Sequence, residues 1–210
     1  MLRILIADDH PVFRRGLKEL IQESPDMVVA GEAANGREAL VKARTGDYDI
    51  VLLDITMPFQ SGVDVLSQLR RERPTLPVLM LSMHPEQQYA VRALRAGASG
   101  YVTKESAPKE LVTAIRRVSE GGKYVSASLA EHLASIVQGD AEGLPHETLS
   151  RREYQIMCVI ASGKSVSEAA KALSLSPKTI STYRVRLLKK MNMENNAELI
   201  RYAMKNHLVD

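Results

Sequence analysis

The chain of 210 residues carries 28 lysines and arginines against 25 aspartates and glutamates, a net charge of +3, with 45% hydrophobic and 25% charged residues. That is an ordinary globular composition, with length for one large or two ordinary domains. No apolar run approaches the roughly 20 residues of a membrane span, and the opening MLRILIADDH turns acidic too soon for a secretory signal. A cytoplasmic location and no membrane partner are therefore expected. Cys158, the single cysteine, lies in an apolar helical pattern and is expected to fill core.

Apolar strands alternate with amphipathic helices from Met1 to about Glu120. The expected strands are LRILIA, MVVAGEA, DIVLLD, PVLMLS and SGYVT. One helix opens at Pro11 with Phe13, Leu17, Leu20 and Ile21 on one face; another runs from about Pro108 with Leu111, Ala114, Ile115 and Val118 inward. Ile50 to Leu53 show no polar alternation, the mark of a strand covered on both faces. The pattern predicts an α/β, doubly wound parallel sheet with its ligand crevice at the carboxyl ends of the strands.

Those ends carry chemistry. The first strand closes on Asp8 and Asp9, the third on Asp54 and the fourth on Ser82, while the fifth runs through Tyr101 to Lys104. Converging carboxylates repel unless a cation joins them, and hard oxygen ligands favour Mg²⁺, which pairs readily with phosphate oxygens. A lysine and a hydroxyl suit the remaining phosphoryl oxygens, and an aspartate can itself be the nucleophile, forming an aspartyl-phosphate. Taken singly, Asp9 could cap a helix, Ser82 could end a strand and Lys104 could be solvated. Their shared position at successive strand ends is harder to explain that way.

The constellation resembles the receiver domain of two-component response regulators, over the whole first module. The resemblance implies a flavodoxin-like receiver, residues 1–120, whose Asp54 accepts a phosphoryl group from a sensor histidine kinase. It implies that Asp9 ligates Mg²⁺ directly, Asp8 through water and Thr56 through its backbone carbonyl, with Asp54 in the same metal set. It assigns Ser82 and Lys104 to the phosphoryl oxygens and Tyr101 to the aromatic switch that turns inward on activation. Thr56 and His84 would tune the lifetime of the phosphoryl group. Such a receiver catalyses its own phosphorylation and dephosphorylation without being an enzyme in the ordinary sense. DITMP around Asp54 fits the family, with Pro58 and Gly62 shaping the following loop; Glu105 departs from it, standing where many receivers have proline.

Charge changes sign along the chain. Thr148 to Asp210 holds 11 basic and 5 acidic residues, a net of +6, leaving 17 basic and 20 acidic residues, a net of −3, before it. A basic module with an anionic partner is expected beyond a linker, residues 121–147, that contains a helix from Ser128 to Val137 and most of the Gly-, Pro- and acid-rich GDAEGLPHETL. Ser150 with Glu153, and Ser165 with Glu168, have capping-box spacing, and Leu149 with Tyr154 that of a hydrophobic staple. Gly163 closes the first helix of this module, and SLSP places Ser176 as N-cap and Pro177 at the first position of the third. The middle pair of helices predicts a helix-turn-helix.

At about 100° per residue, Ile180, Tyr183, Leu187 and Met191 share an inward stripe of that third helix, while Lys178, Ser181, Thr182, Val185, Arg186 and Lys189 point outward. Long cations with small groups between them suit a DNA groove. LSRREYQIMCVIASGKSVSEAAKALSLSPKTISTYRVRLLKKM resembles the LuxR-type helix-turn-helix domain, and joined to a receiver it makes the chain resemble a NarL/FixJ-type response regulator. That implies a smaller all-α domain, residues 148–210, in a transcription factor whose homodimers, formed on phosphorylation or on double-stranded DNA, read paired half-sites. Ser181, Thr182 and Val185 fall where the family contacts base edges. Lys178, Thr179, Arg186, Lys189 and Lys190 fall where it contacts phosphates or flanking groups, and the last helix commonly makes the dimer contact. Tyr183 stands where histidine is commoner.

Two alternatives are open to the same residues. A haloacid-dehalogenase-type enzyme also uses a strand-end aspartate with Mg²⁺, but it needs a second carboxylate two residues on, where this chain has Thr56. A regulator whose receiver serves only for dimerisation or ligand binding is the other; the intact acids, Ser82 and Lys104 count against it.

Overall fold

An apolar run with no polar break needs cover on both faces, and β3 (Ile50–Asp54) has it, with every residue buried. The computed structural model describes residues 1–83, 86–138, 144–206 and 208–209. It places β3 at the centre of a five-stranded, all-parallel sheet of order β2-β1-β3-β4-β5, with β1 at Leu2–Ala7, β2 at Met27–Ala33, β4 at Val78–Ser82 and β5 at Gly100–Thr103. Helices α1 (Pro11–Gln22), α2 (Gly36–Thr45), α3 (Gly62–Glu72), α4 (Glu86–Arg95) and α5 (Ala107–Ser119) alternate with the strands. The expected doubly wound α/β architecture is the one found.

On one face of the sheet Ile4, Ile6, Leu52, Leu79, Leu81 and Val102 meet Leu17 and Ile21 of α1 and Leu111 and Ile115 of α5. The alternate strand residues Leu5, Val51, Leu53 and Met80 are as fully buried, as a sheet covered on both sides requires. Burial of this kind contributes about 25 cal/mol per Å² of apolar surface. Past α5, the Tyr124 backbone bridges to Gly100 and so extends the pairing at the β5 edge. A Cβ at Gly100 would come within 2.6 Å of the Tyr124 carbonyl oxygen, so only glycine admits that approach.

The chain forms two compact units, Met1–Leu133 and Ala134–Asp210, and their boundary falls within α6 (Ala127–Gln138), one residue longer at each end than the helix expected in the linker. Ser126 accepts from the Leu129 N–H at its start. Residues 139–143 of the expected linker lie outside the described residues.

The helical unit then carries a 3₁₀ turn, Pro145–Thr148, followed by α7 (Arg151–Ala161), α8 (Val166–Ala172), α9 (Pro177–Lys190) and α10 (Asn196–Lys205). His146 of the turn is buried against Tyr202 of α10, with Nδ1 2.8 Å from the phenol oxygen. This part of the expected linker is thus packed into the helical unit. Both capping boxes form, at Ser150 with Glu153 and Ser165 with Glu168. Gly163 takes the left-handed conformation, φ +80°, that lets the chain leave α7. Ser176 caps α9 through the Thr179 N–H, with Pro177 first in the helix. α9 packs against both α7 and α8, and α10 against α7. Cys158 is half-buried on α7.

Candidate functional site

β1 and β3 are sheet neighbours, but the connections that follow them lead to opposite sides, β1 to β2 and β3 to β4. That reversal opens a crevice at their carboxyl ends. Asp8, fully buried, stands just past β1, and Asp54, 1% exposed, is the last residue of β3. The next strand end supplies Ser82 and the fifth leads into Lys104, whose N–H donates to the Ser82 carbonyl at 2.7 Å. Both side chains are buried.

Lys104 Nζ lies 2.7 Å from Asp8 Oδ2 and 2.9 Å from Asp54 Oδ2, under the Phe13 ring, whose centroid is 4.8 Å away. Burial pushes the Asp54 carboxyl up to about 6; the hydrogen bond from Lys104 pulls against it, the Asp8 charge adds to it, and the Thr56 N–H pulls down. That N–H donates to Asp54 Oδ1 at 3.3 Å. Burial likewise raises the Tyr101 phenol well above its ordinary value, against the effect of its hydrogen bond with Ser82. Tyr101 is fully buried, turned inward beside that serine.

On the other side of the acids is a residue the strand-end pattern did not flag. His10 donates its backbone N–H to Asp8 Oδ1 at 2.8 Å, and this tight turn swings its ring over the crevice. Its Nδ1 lies 2.9 Å from Asp9 Oδ1, 3.3 Å from Asp8 Oδ1 and 3.9 Å from Asp54 Oδ2. Phe13 is a second such residue: its place over Lys104 was read only as core. The sequence signal for His10 was its adjacency to two acids; for Phe13 there was none beyond apolarity.

One ligand atom from each of Asp8, Asp9, His10 and Asp54 lies within 4.8 Å of the others. Asp8 Oδ2 and Asp9 Oδ1 are sealed from solvent and accept no well-aligned hydrogen bond. Three carboxylates and one ammonium leave a formal charge of −2 at the cluster. A divalent cation with oxygen preference fits that charge and that donor set. Thr56 is exposed at the rim, and His84 lies outside the described residues.

Gly62 explains how the loop after Asp54 stays in place. Its N–H donates to the Ile55 carbonyl at 2.8 Å, and a Cβ there would stand 1.9 Å from the Asp54 carbonyl oxygen. Ser61 caps α3 in the same turn.

In the helical unit α9 divides as its periodicity predicts. Ile180, Leu187 and Met191 are buried and Tyr183 is half-buried, with Leu188 also buried beside them. Lys178, Ser181, Thr182, Val185, Arg186 and Lys189 are exposed, Val185 at 65%. Two polar ends are used locally: the Thr179 hydroxyl is 2.8 Å from that of Ser176, and Lys190 Nζ donates to Glu153 Oε2 at 2.8 Å. The Thr182 hydroxyl donates to the Lys178 carbonyl, leaving its oxygen free to accept.

Comparison with known proteins agrees with both halves. Residues 4–116 match the response regulator receiver domain, and residues 147–203 match the bacterial regulatory proteins of the luxR family. Response regulator UvrY of Escherichia coli (strain K12) is 35% identical over 209 residues, spanning 99% of this chain and 96% of its own. Response regulator GacA of Pseudomonas viridiflava is 36% identical over 211 residues, covering 100% and 99%. The structure of RcsB from Salmonella enterica serovar Typhimurium, bound to promoter rprA with a phosphomimetic, superposes with a TM-score of 0.73 at 25% identity, over 96% of this chain and 97% of that one. No described helix is long and apolar enough to cross a membrane. Receiver ahead of luxR-type domain, matched along nearly the whole chain, shows that this protein belongs to the two-component response regulators of the NarL/FixJ type, phosphorylation-dependent DNA-binding transcription regulators rather than classical enzymes.

Proposed function

We propose that Asp54 is the residue that takes the phosphoryl group, with the histidine kinase's phosphoimidazole as donor and the receiver itself catalysing the transfer. The observation that carries this is the placement of Asp54: a nearly buried carboxylate at the topological switch point, held between Lys104, Asp8 and the Thr56 N–H. An Asp54 oxygen attacks phosphorus as the phosphorus–nitrogen bond of the donor breaks, and the electron pair leaves with the imidazole. Asp9, Asp8 and Asp54, with the Thr56 carbonyl, would hold Mg²⁺. That ion supplies charge neutralisation for the phosphoryl oxygens. Lys104 and the Ser82 hydroxyl bind those oxygens from the protein side, and the hydrogen bond of Ser82 to Tyr101 links the site to the buried aromatic. Thr56 and His84 set how long the acyl phosphate lasts.

The output is read by α9 in the major groove of double-stranded DNA, presented by a homodimer in the cytoplasm. Ser181, Thr182 and the exposed Val185 face base edges, the last suited to a thymine methyl. Lys178, Arg186 and Lys189 take phosphates; Thr179 and Lys190, engaged within the unit, contribute less. The functional parts are a receiver at 1–120, a connecting segment at 121–147 and the DNA-binding domain at 148–210. Labelling the full chain with acetyl phosphate and Mg²⁺, followed by mass mapping, tests the assignment. Acid-stable but base-labile label on Asp54 is expected, with tighter binding to a selected operator; label elsewhere, or on Asp54→Asn, overturns it.

A further inference from the structure

Mg²⁺ needs only oxygen ligands, but a ring nitrogen faces the same crevice. Four donor atoms gather there: Asp8 Oδ1, Asp9 Oδ1, an Asp54 carboxylate oxygen and His10 Nδ1. Ligands that each lie about 2.1 Å from one ion are roughly 3 Å apart when adjacent and about 4.2 Å apart when opposite. His10 Nδ1 stands 2.9 and 3.3 Å from Asp9 and Asp8, adjacent spacings, and 3.9 Å from Asp54, near the opposite one. The ring needs no large movement to join the carboxylates, because its own backbone N–H is already anchored to Asp8 Oδ1. The Asp54 oxygen in this set, Oδ2, is also held by the Lys104 ammonium, as is Asp8 Oδ2, and Lys104 Nζ lies 3.5 Å from His10 Nδ1, so an ion that joins His10 to Asp54 takes that oxygen from the ammonium.

We propose that His10 is a fourth, nitrogen ligand of this receiver's cation site and makes it discriminate among divalent ions. Imidazole adds little to a hard ion such as Mg²⁺ and much to the later first-row ions, whose affinity for mixed nitrogen and oxygen sites rises along the series to copper. Cobalt, nickel and zinc ions would recruit the ring; Mg²⁺ would leave it on Asp9. With its side chain 58% exposed, His10 stands at the mouth of the crevice. Drawing it onto an ion places the ring across the path by which a phosphodonor reaches Asp54. Ion identity thereby sets access as well as charge. This inference rests on the assignment of the acid cluster as the receiver's metal site.

The test titrates the full chain, stripped of metal, with Co²⁺ and with Mg²⁺ at pH 8, and compares His10→Ala and His10→Gln. Circular dichroism melts confirm that each variant folds. His10→Ala is expected to lower the ratio of Co²⁺ to Mg²⁺ affinity by about tenfold, within the range seen when a metal site loses a supporting group, and His10→Gln by a similar factor. In proton NMR of the Co²⁺ protein a contact-shifted imidazole resonance is expected, absent from both variants. An unchanged affinity ratio, or a contact-shifted resonance that survives in His10→Ala, overturns the proposal while leaving the metal site standing. Failure of both ions to bind at millimolar concentration overturns the proposal together with the metal site.

Discussion

The ammonium of Lys104 sits 2.9 Å from the Asp54 carboxylate, and both side chains are almost wholly withdrawn from solvent. The same nitrogen reaches Asp8 at 2.7 Å, so one cation separates two buried anions. Removing that cation is expected to cost about 3 kcal/mol, because the two anions left behind are unpaired and dry. Lys104→Ala should therefore melt earlier than wild type in chelator, and millimolar Mg²⁺ should recover much of the loss. It should still be labelled by acetyl phosphate, without the rise in operator affinity that follows labelling of wild type. Operator binding that rises as in wild type would remove Lys104 from the switch.

Asp54 makes stability depend on pH in the direction opposite to most carboxylates. Its folded value is raised to about 6 from 3.8, so the folded state holds this proton more tightly than the unfolded chain. The contribution is complete below 3.8 and is lost as pH rises through about 6. Above that, ionised Asp54 disfavours folding by on the order of 3 kcal/mol. In chelator at pH 8, Asp54→Asn should be the more stable protein, and its advantage should shrink as pH falls through 6. Denaturant melts of both proteins across that range decide it: an advantage that grows toward acid contradicts the burial of Asp54. The same variant should take no label.

Gly62→Ala should damage the site from its backbone. The added methyl would stand 1.9 Å from the Asp54 carbonyl oxygen, so the end of β3 or the loop must shift. Overpacking of this kind destabilises by about 1–3 kcal/mol, and displacement of a reacting group by an ångström can slow a reaction about a hundredfold. Acetyl phosphate labelling is expected to slow by at least about tenfold while far-UV circular dichroism stays native. Wild-type labelling by this variant would show that the loop yields without moving Asp54.

The exposed face of α9 should separate into two kinds of residue. Lys178→Ala or Lys189→Ala should weaken binding to all DNA and reduce the salt slope by about 1. Ser181→Ala, Thr182→Ala or Val185→Ala should instead alter the preferred operator, by about 1–3 kcal/mol at a base pair that loses a good contact. Lys190→Ala should behave as neither, lowering the melting temperature of the helical unit with little change in salt slope, since its ammonium is bound to Glu153. Site selection and salt titrations on each variant check the division. A selected motif that moves with the lysines and not with the small residues would mean that α9 docks by another face.

The sheet was legible because a strand covered on both faces must be apolar throughout, as Ile50–Leu53 is, and because chemistry at strand ends collects at one crevice. Asp8, Asp54, Ser82 and Lys104 could be placed together on that ground alone. His10 could not, since only the turn onto Asp8 Oδ1 carries its ring over the acids. The turn at Pro145–Thr148 was read as linker from its Gly-, Pro- and acid-rich surroundings, but His146 is buried by a partner 56 residues away. Periodicity holds no trace of such a pairing. Lys190 lay beyond helical-wheel reasoning for another reason: a long side chain can leave the direction of its own Cβ and reach a neighbouring helix.

Glu153 serves two helices with one carboxylate. Its Oε2 accepts the Ser150 N–H at 2.8 Å, closing the first turn of α7, and takes Lys190 Nζ, from the last turn of α9, at the same distance. Helix ends ordinarily fray independently of one another. Here the opening of α7 loosens the anchor of Lys190, and the release of Lys190 weakens the cap of α7, so the two ends should open together. In amide exchange these remote turns would share a common rhythm, and the end of the DNA-reading helix would be as quiet or as restless as the point where the connecting segment enters the domain.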